Sequence, residues 1–158
     1  MNQDYKANIK VVKKIAEELI KKISPDAEIS VLPPKEDGLV VVDVKTIDAQ
    51  TLIGANAETL LAVQHLVRVI ARKNLGDSLR VELDVNNYRK KRKEYLKELA
   101  LNTANEVALV KREVALSPMT AYERRIIHVE LSERLDVATE SRGAGASRKV
   151  VVKPAVRK

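Results

Sequence analysis

The segment that most constrains this chain is residues 120–131, T-A-Y-E-R-R-I-I-H-V-E-L. Thr120 followed three residues later by Glu123 predicts a capping box. In that motif the threonine hydroxyl accepts from the backbone N–H of Glu123, and the glutamate carboxylate accepts from the backbone N–H of Thr120. The segment therefore predicts a helix with a defined first residue.

Arg124 and His128 lie four residues apart in this helix, about 40° apart around its axis, so they share one flank. Tyr122, Ile126 and Val129 fall on the far side, which we expect to face the core. An arginine beside a histidine can bind an anion with a base next to it, although such a pair is more often a solvated surface. We expect no metal here, because no second His or Cys lies nearby and arginine is not a ligand.

Positive charge is concentrated in the second half of the chain. Residues 1–86 hold 12 Lys and Arg against 13 Asp and Glu, whereas residues 87–158 hold 17 against 9. The net charge is therefore −1 in the first part and +8 in the second. This asymmetry predicts that a polyanion would be drawn to the second part. The alternative is that the basic half serves solubility alone.

The absence of cysteine excludes disulfides and thiolate metal sites. The polar beginning M-N-Q-D-Y-K-A-N predicts no signal peptide, and no apolar run approaches the roughly 18 residues of a transmembrane helix. We therefore expect a cytoplasmic protein without membrane insertion, metal or cofactor. Since Phe and Trp are also absent, the core must be built largely from Val, Ile, Leu and Ala.

Hydrophobic periodicity in the first half predicts the element order αββααβ. A turn at residues 33–38, marked by Pro33-Pro34 and Gly38, is expected to join the first two strands. The predicted helices are residues 8–23, 48–53 and 57–73, and the predicted strands are residues 27–32, 39–44 and 79–85.

In the second half, the pattern predicts two helices and three short strands. The helices are residues 88–109 and the capped helix described above; the strands are residues 114–116, 135–140 and 148–152, with a small-residue loop at 141–147. The first helix begins with the basic run of residues 89–93, which opposes the helix dipole. Phosphate contact would explain that run; charge pairing with Glu94 and Glu98 is the alternative. The predicted class is α+β, with domains at 1–86 and 87–154 and a tail at 155–158.

Two motifs resemble known domains. Residues 118–128, P-M-T-A-Y-E-R-R-I-I-H, resemble the R-three-H domain, a module that binds single-stranded nucleic acid and is named for this Arg–His spacing. Residues 52–67, L-I-G-A-N-A-E-T-L-L-A-V-Q-H-L-V, resemble the loop and helix of a bacterial KH domain. A KH domain followed by an R-three-H domain resembles the Jag/KhpB family of RNA-binding proteins, over most of residues 8–154.

The resemblance implies a type II KH domain followed by two helices packed on a three-stranded sheet. The family's N-terminal Jag domain is expected to be absent, because the KH-like region begins almost at once. The loop Gly54-Ala55-Asn56-Ala57 has alanine in place of the second glycine of the G-x-x-G pattern and carries no cation. We therefore expect the affinity of this loop for RNA to be weakened. The alternative to a KH loop is an ordinary helix–turn–helix inside an α+β domain.

The sequence predicts a binding protein for single-stranded RNA or DNA, and the resemblance implies a post-transcriptional regulator or RNA chaperone. The resemblance also implies a partner, a small KH-domain protein; self-association is the alternative. Base stacking would rest on His128 and Tyr122, since aromatic residues are few. The predicted nucleic-acid-binding residues are Arg89, Lys90, Arg92, Lys93, Arg124, Arg125, His128, Arg142, Arg148 and Lys149.

Two other classes of function were compared with RNA binding. A protein-interaction or dimerisation scaffold is the main alternative, in which the KH region no longer grips RNA and the apolar helix at 57–73 serves association. An enzyme is not expected, because the two histidines, His65 and His128, lie in different predicted domains and no nucleophile–base or metal-ligand motif is present.

Overall fold

The protein is a mixed α+β chain of two compact units, 1–89 and 90–158. The structure is a computed structural model and describes residues 3–32, 38–76 and 80–155. Among these residues, no helix has both the length and the apolar character needed to cross a membrane. The division between the units falls within the helix that begins at Tyr88.

The first unit follows the predicted order αββααβ. Its first helix begins and ends earlier than predicted, because a polar first turn extends the helix and the chain already turns at residues 21–23. The predicted turn at 33–37 and the start of the third strand at Leu79 lie outside the described residues. The elements are α1 (Gln3–Ile20), β1 (Glu28–Leu32), β2 (Leu39–Lys45), α2 (Ala49–Ile53), α3 (Glu58–Leu75) and β3 (Arg80–Val85).

A three-stranded sheet with the order β1-β2-β3 forms one layer of this unit. β1 pairs with β2 antiparallel, and β2 pairs with β3 parallel, so the connection through α2 and α3 crosses from one strand to its parallel neighbour. Alternate residues of the central strand, Val40, Val42 and Val44, are buried. They share one core with Val12 of α1 and Val67 of α3. The helices therefore cover one face of the sheet.

The second unit contains two helices and a three-stranded antiparallel sheet of order β4-β6-β5. Its elements are α4 (Tyr88–Val110), β4 (Val114–Ala115), α5 (Ala121–Glu130), β5 (Val137–Arg142) and β6 (Lys149–Pro154). Its core combines Leu96 and Val107 of α4, Ile127 of α5, and Val150 and Val152 of β6. β5 runs to Arg142, so the prediction of a loop from residue 141 was wrong: Ser141 and Arg142 pair with Val150 and Lys149 in the ladder.

The buried side of α5 also differs from the prediction. Tyr122 and Val129 are 66% and 62% exposed, whereas Glu123 and Ile127 are buried. Ile126, the third residue of the predicted set, is half-buried and packs against the core. Glu123 can occupy a buried position because both oxygens of its carboxylate accept hydrogen bonds.

A carboxylate that precedes α4 offsets part of the charge at its basic beginning. Asp84 of β3 accepts a hydrogen bond from the backbone N–H of Arg89 at 3.2 Å. Asn86 and Asn87 turn the chain between strand and helix, with φ of 50° and 57°. Asparagine tolerates this left-handed conformation better than most residues. The first turn of α4 itself contains no acidic residue, so this support comes from the preceding strand.

Candidate nucleic-acid interface

α5 is fixed at its beginning by the predicted capping box. The backbone N–H of Glu123 donates to Thr120 Oγ1 at 3.3 Å, and the Thr120 N–H donates to Glu123 Oε2 at 2.8 Å. The other carboxylate oxygen, Oε1, accepts from Arg92 Nε of α4 at 2.7 Å. Glu123 thus joins α5 to α4 while it caps the helix.

The Glu123 carboxylate stays charged despite its burial. Burial alone would raise its pKa, but hydrogen bonds from Arg92 and Thr120 outweigh that effect and hold the pKa below the ordinary value of 4.5. A charged carboxylate at the first turn also interacts favourably with the helix dipole. The capping box and the bond to Arg92 therefore fix the position and rotation of α5.

His128 lies at the seam between α5 and β5. Its Nδ1 is 2.7 Å from Thr139 Oγ1 and its Nε2 is 3.0 Å from Ser141 Oγ, so both ring nitrogens contact hydroxyls of the strand. The ring is half-buried. Burial lowers its pKa below 6.5, and the nearby Arg124 guanidinium lowers it further. The imidazole is therefore neutral at physiological pH and held in one orientation.

Arg124 lies on the same flank of α5, as its spacing from His128 predicted. It is half-buried, and its Nη1 donates to the carbonyl oxygen of Met119 at 2.7 Å. That bond uses one of the five donors of a guanidinium. Within the described residues, no carboxylate forms an ion pair with Arg124. The Arg124–His128 couple thus combines a cation and a neutral imidazole at a partly exposed seam.

Four of the other predicted cations are exposed and lack a carboxylate partner within the part of the chain that the structure describes. These are Lys90 and Lys93 of α4, Arg125 of α5, and Arg148 before β6. Lys149 also has no carboxylate partner there but is half-buried. Unpaired surface cations are the groups that can neutralise phosphates and release counterions.

Three predicted cations instead bond to other groups of the protein: Arg92, Arg142 and Arg89. Arg92 bonds Glu123 and lies 5.5 Å from the ring centroid of Tyr95. Arg142 pairs with both oxygens of Glu113, at 2.7 and 2.9 Å, and with Glu140.

Arg89 belongs to the first unit, where its side chain donates to Gln64 Oε1 at 2.8 Å and to the carbonyl oxygen of Leu83 at 3.2 Å. It also forms an ion pair with Glu82 at 3.3 Å. These bonds place Arg89 in the structural framework of the first unit rather than on a free surface.

Thr139 and Ser141 hold the His128 ring but were not among the predicted site residues. Both are small hydroxyl residues 11 and 13 positions away from the histidine. Their role depends on the register of β5, which pairs Thr139 with Val152 and Ser141 with Val150. The predicted strand ended at residue 140, so Ser141 was assigned to a loop.

The loop at residues 54–57 has an unusual backbone. Gly54 has φ 72° and ψ 179°, and Asn56 and Ala57 follow with φ of 49° and 63°. Residues 55–57 form a 3-10 turn that leads directly into α3. Ala57 thus adopts a left-handed conformation that glycine adopts more readily than alanine. The described loop carries no cationic side chain.

Residues 94–154 match the R-three-H domain family. The chain is 44% identical over 111 residues to the RNA-binding protein KhpB of Clostridium symbiosum, covering 70% of this chain and 50% of that protein. It is 41% identical over 107 residues to KhpB of Lactiplantibacillus plantarum, covering 68% and 33%, and 38% identical over 106 residues to KhpB of Bacillus subtilis, covering 66% and 51%. The chain therefore spans about half or less of the length of these relatives.

Proposed function

Since the chain is a relative of the Jag/KhpB family of RNA-binding proteins and carries an R-three-H domain, we propose that it binds single-stranded RNA through its second unit. The observation that carries this proposal is the Arg124–His128 couple, which lies at a partly exposed seam and not in the core. A guanidinium with free donors can bind a phosphate. The His128 ring, whose two nitrogens already contact Thr139 and Ser141, forms a fixed part of the same seam.

The unpaired cations support the same unit as the binding surface. Lys90, Lys93, Arg125 and Arg148 are exposed, and each contact with a phosphate releases counterions from the strand. Arg92 and Arg142 have carboxylate partners that a phosphate would have to displace. We therefore expect them to contribute less to affinity than the unpaired set.

Within this proposal, the first unit is a type II KH domain that has lost most of its grip on RNA. The order αββααβ and a loop between two helices support the domain type. The helical N-terminus at the loop could still offer backbone N–H groups to a phosphodiester. The absence of a cation at residues 54–57 and the left-handed Ala57 support a reduced role.

The proposed biological role is that of a cytoplasmic post-transcriptional regulator or RNA chaperone that acts on many transcripts. The chain has four Tyr, no Phe and no Trp, and so offers few side chains for base stacking. Affinity that rests mostly on phosphate contacts discriminates little between sequences. Such a protein would bind broadly and depend strongly on salt concentration.

Binding of a fluorescent uridine-rich oligonucleotide, measured by anisotropy at low salt, tests the proposal. We expect the Arg124→Ala/His128→Ala variant to lose at least about tenfold in affinity, the effect of about 1.4 kcal/mol of lost contact energy. Lys21→Ala/Lys22→Ala, which removes two exposed cations of the first unit, is the matched control and should keep wild-type affinity. Thermal unfolding of each variant verifies that the fold is intact.

Undetectable binding by the wild-type chain, or equal affinity of the wild type and the double variant, would contradict the proposal. The alternative function is then favoured, a scaffold that associates with itself or with a small KH-domain protein. One observation favours it: Leu61, Leu66 and Val69 of α3 are 42%, 49% and 50% exposed. Sedimentation of the chain at increasing concentration, without RNA, measures that association directly.

A further inference from the structure

A groove between α4 and α5 lies within the second unit, on a different side of α5 from His128. It is lined by Lys93 and Lys97 of α4 and by Tyr122, Arg125, Ile126 and Val129 of α5. Arg125 lies three residues before His128, about 60° around the helix axis. The outer surface of α5 therefore continues from the Arg124–His128 couple, through Arg125, to the groove.

An exposed aromatic ring dominates the apolar part of the groove. Tyr122 is 66% exposed and Val129 is 62% exposed. Tyr95, another tyrosine of this unit, is also exposed, but the Arg92 guanidinium already lies 5.5 Å from its ring centroid. Within the described residues, the ring of Tyr122 has no such cation. Its face is therefore available to a ligand.

The charges around the groove favour an anionic occupant. Lys93 and Arg125 are exposed and have no carboxylate partner in the part of the chain that the structure describes. The acidic residue of the groove, Glu130, is neutralised by Lys97 at 2.8 Å. A ring flanked by two unpaired cations complements a nucleotide, whose base stacks and whose phosphate pairs.

We propose that this groove is a nucleobase-stacking site, in which one base of a single strand stacks on Tyr122 and the adjoining phosphates pair with Lys93 and Arg125. The inference rests on the proposed function and extends it, because the His128 ring is half-buried whereas the Tyr122 side chain is 66% exposed. A strand that crosses α5 would contact the couple and the groove in succession. The site recognises a base by its flat surface, so every base is accepted.

Two oligonucleotides of equal length and charge distinguish the contribution of base stacking from that of phosphate contacts. One is a uridine-rich strand, and the other is a matched strand with abasic sugars at its central positions. Tyr122→Leu keeps an apolar side chain but removes the ring. We expect it to weaken binding of the uridine-rich strand by about tenfold and to leave the abasic strand unaffected. Tyr122→Phe should retain wild-type affinity, and Tyr95→Leu is the control for loss of another exposed tyrosine.

Arg125→Ala provides the complementary result. It should weaken binding of both strands by the same factor. It should also reduce the slope of log affinity against log salt concentration by about 0.7, the value for one phosphate contact on a single strand. Since Tyr122 and Arg125 are both exposed, these variants should unfold at the wild-type temperature.

Three results would overturn the inference, and they separate it from the proposed function. If Tyr122→Leu binds the uridine-rich strand as well as the wild type, while Arg124→Ala/His128→Ala does not, the proposed function holds and the groove serves another partner, such as a protein. If Tyr122→Leu weakens both strands equally, the groove contacts only the backbone. If the wild-type chain binds neither strand, the proposed function and this inference fail together.

Discussion

The His128 imidazole is held by a hydroxyl at each ring nitrogen, an arrangement that suits its neutral form. A neutral ring has one N–H donor and one acceptor nitrogen, and a hydroxyl can take either role. Thr139 and Ser141 therefore satisfy whichever tautomer is present. The nearby Arg124 disfavours the protonated ring by repulsion. The couple thus keeps one charge, on the arginine, and one uncharged partner that is fixed in place.

This arrangement predicts how stability depends on pH. The pKa of His128 is depressed in the folded state, so the unfolded chain binds a proton more readily. The stabilisation contributed by the neutral ring is complete above about pH 6.5, the ordinary pKa of histidine. It is lost as the pH falls through the lower pKa that His128 has in the folded protein. The free energy of unfolding of the wild type should therefore decrease below about pH 6.5, well above the range in which Glu123 becomes protonated.

Denaturant unfolding at a series of pH values measures this effect. His128→Gln should remove the decrease between about pH 6.5 and 5, because glutamine does not titrate. His65→Gln, which replaces the exposed histidine of α3, is the control and should retain it. An unchanged pH profile in His128→Gln would show that the His128 ring does not titrate as described.

At the level of secondary structure, the loop before α3 contains a residue, Gly54, with an unusual backbone conformation and little space around it. Gly54 adopts φ 72° and ψ 179°, a region that only glycine occupies readily. A Cβ at this position would lie 2.2 Å from Thr59 Oγ1 and 2.9 Å from the Thr59 backbone nitrogen. Gly76, at the end of α3, has nearly the same backbone, with φ 79° and ψ −174°, but no atom of the described residues lies within 4 Å of its Cβ position.

This pair of glycines allows a matched prediction. Both Gly54→Ala and Gly76→Ala should lose about 1–3 kcal/mol of stability from the unfavourable backbone conformation. Gly54→Ala should lose more than Gly76→Ala, because Thr59 and the beginning of α3 must also move. Unfolding free energies of the two variants test this difference, and equal losses would show that the loop relaxes without cost.

At the scale of the whole molecule, local patterns predicted much of the architecture. The class, the order of elements in both units and the capped start of α5 follow from short-range periodicity and cap chemistry, which need no knowledge of distant residues. The resemblance of residues 118–128 to the R-three-H domain is confirmed by the match to that family. The resemblance of the chain to the Jag/KhpB family is confirmed by the three KhpB relatives.

The remaining features depend on contacts between residues far apart in sequence. The burial of Glu123 requires Arg92, 31 residues earlier, and without that partner a carboxylate predicts a solvent-facing position. Tyr122 was expected to face the core because it lies on the side of α5 away from Arg124 and His128, and it proved exposed. Likewise, Arg142 was predicted to be free, but Glu113, 29 residues away, holds it. Which cations remain unpaired is set by tertiary structure and cannot be seen in the sequence.

The central claim is that the second unit, around α5, contacts the RNA strand. Photo-crosslinking of the wild-type chain to an oligonucleotide containing 4-thiouridine, followed by trypsin digestion and mass spectrometry, tests it most directly. The account predicts crosslinks on the peptides of residues 113–124 and 126–134, which contain Tyr122 and His128. Crosslinks confined to the first unit, for example to the peptide of residues 46–68 that contains the Gly54 loop, would contradict it.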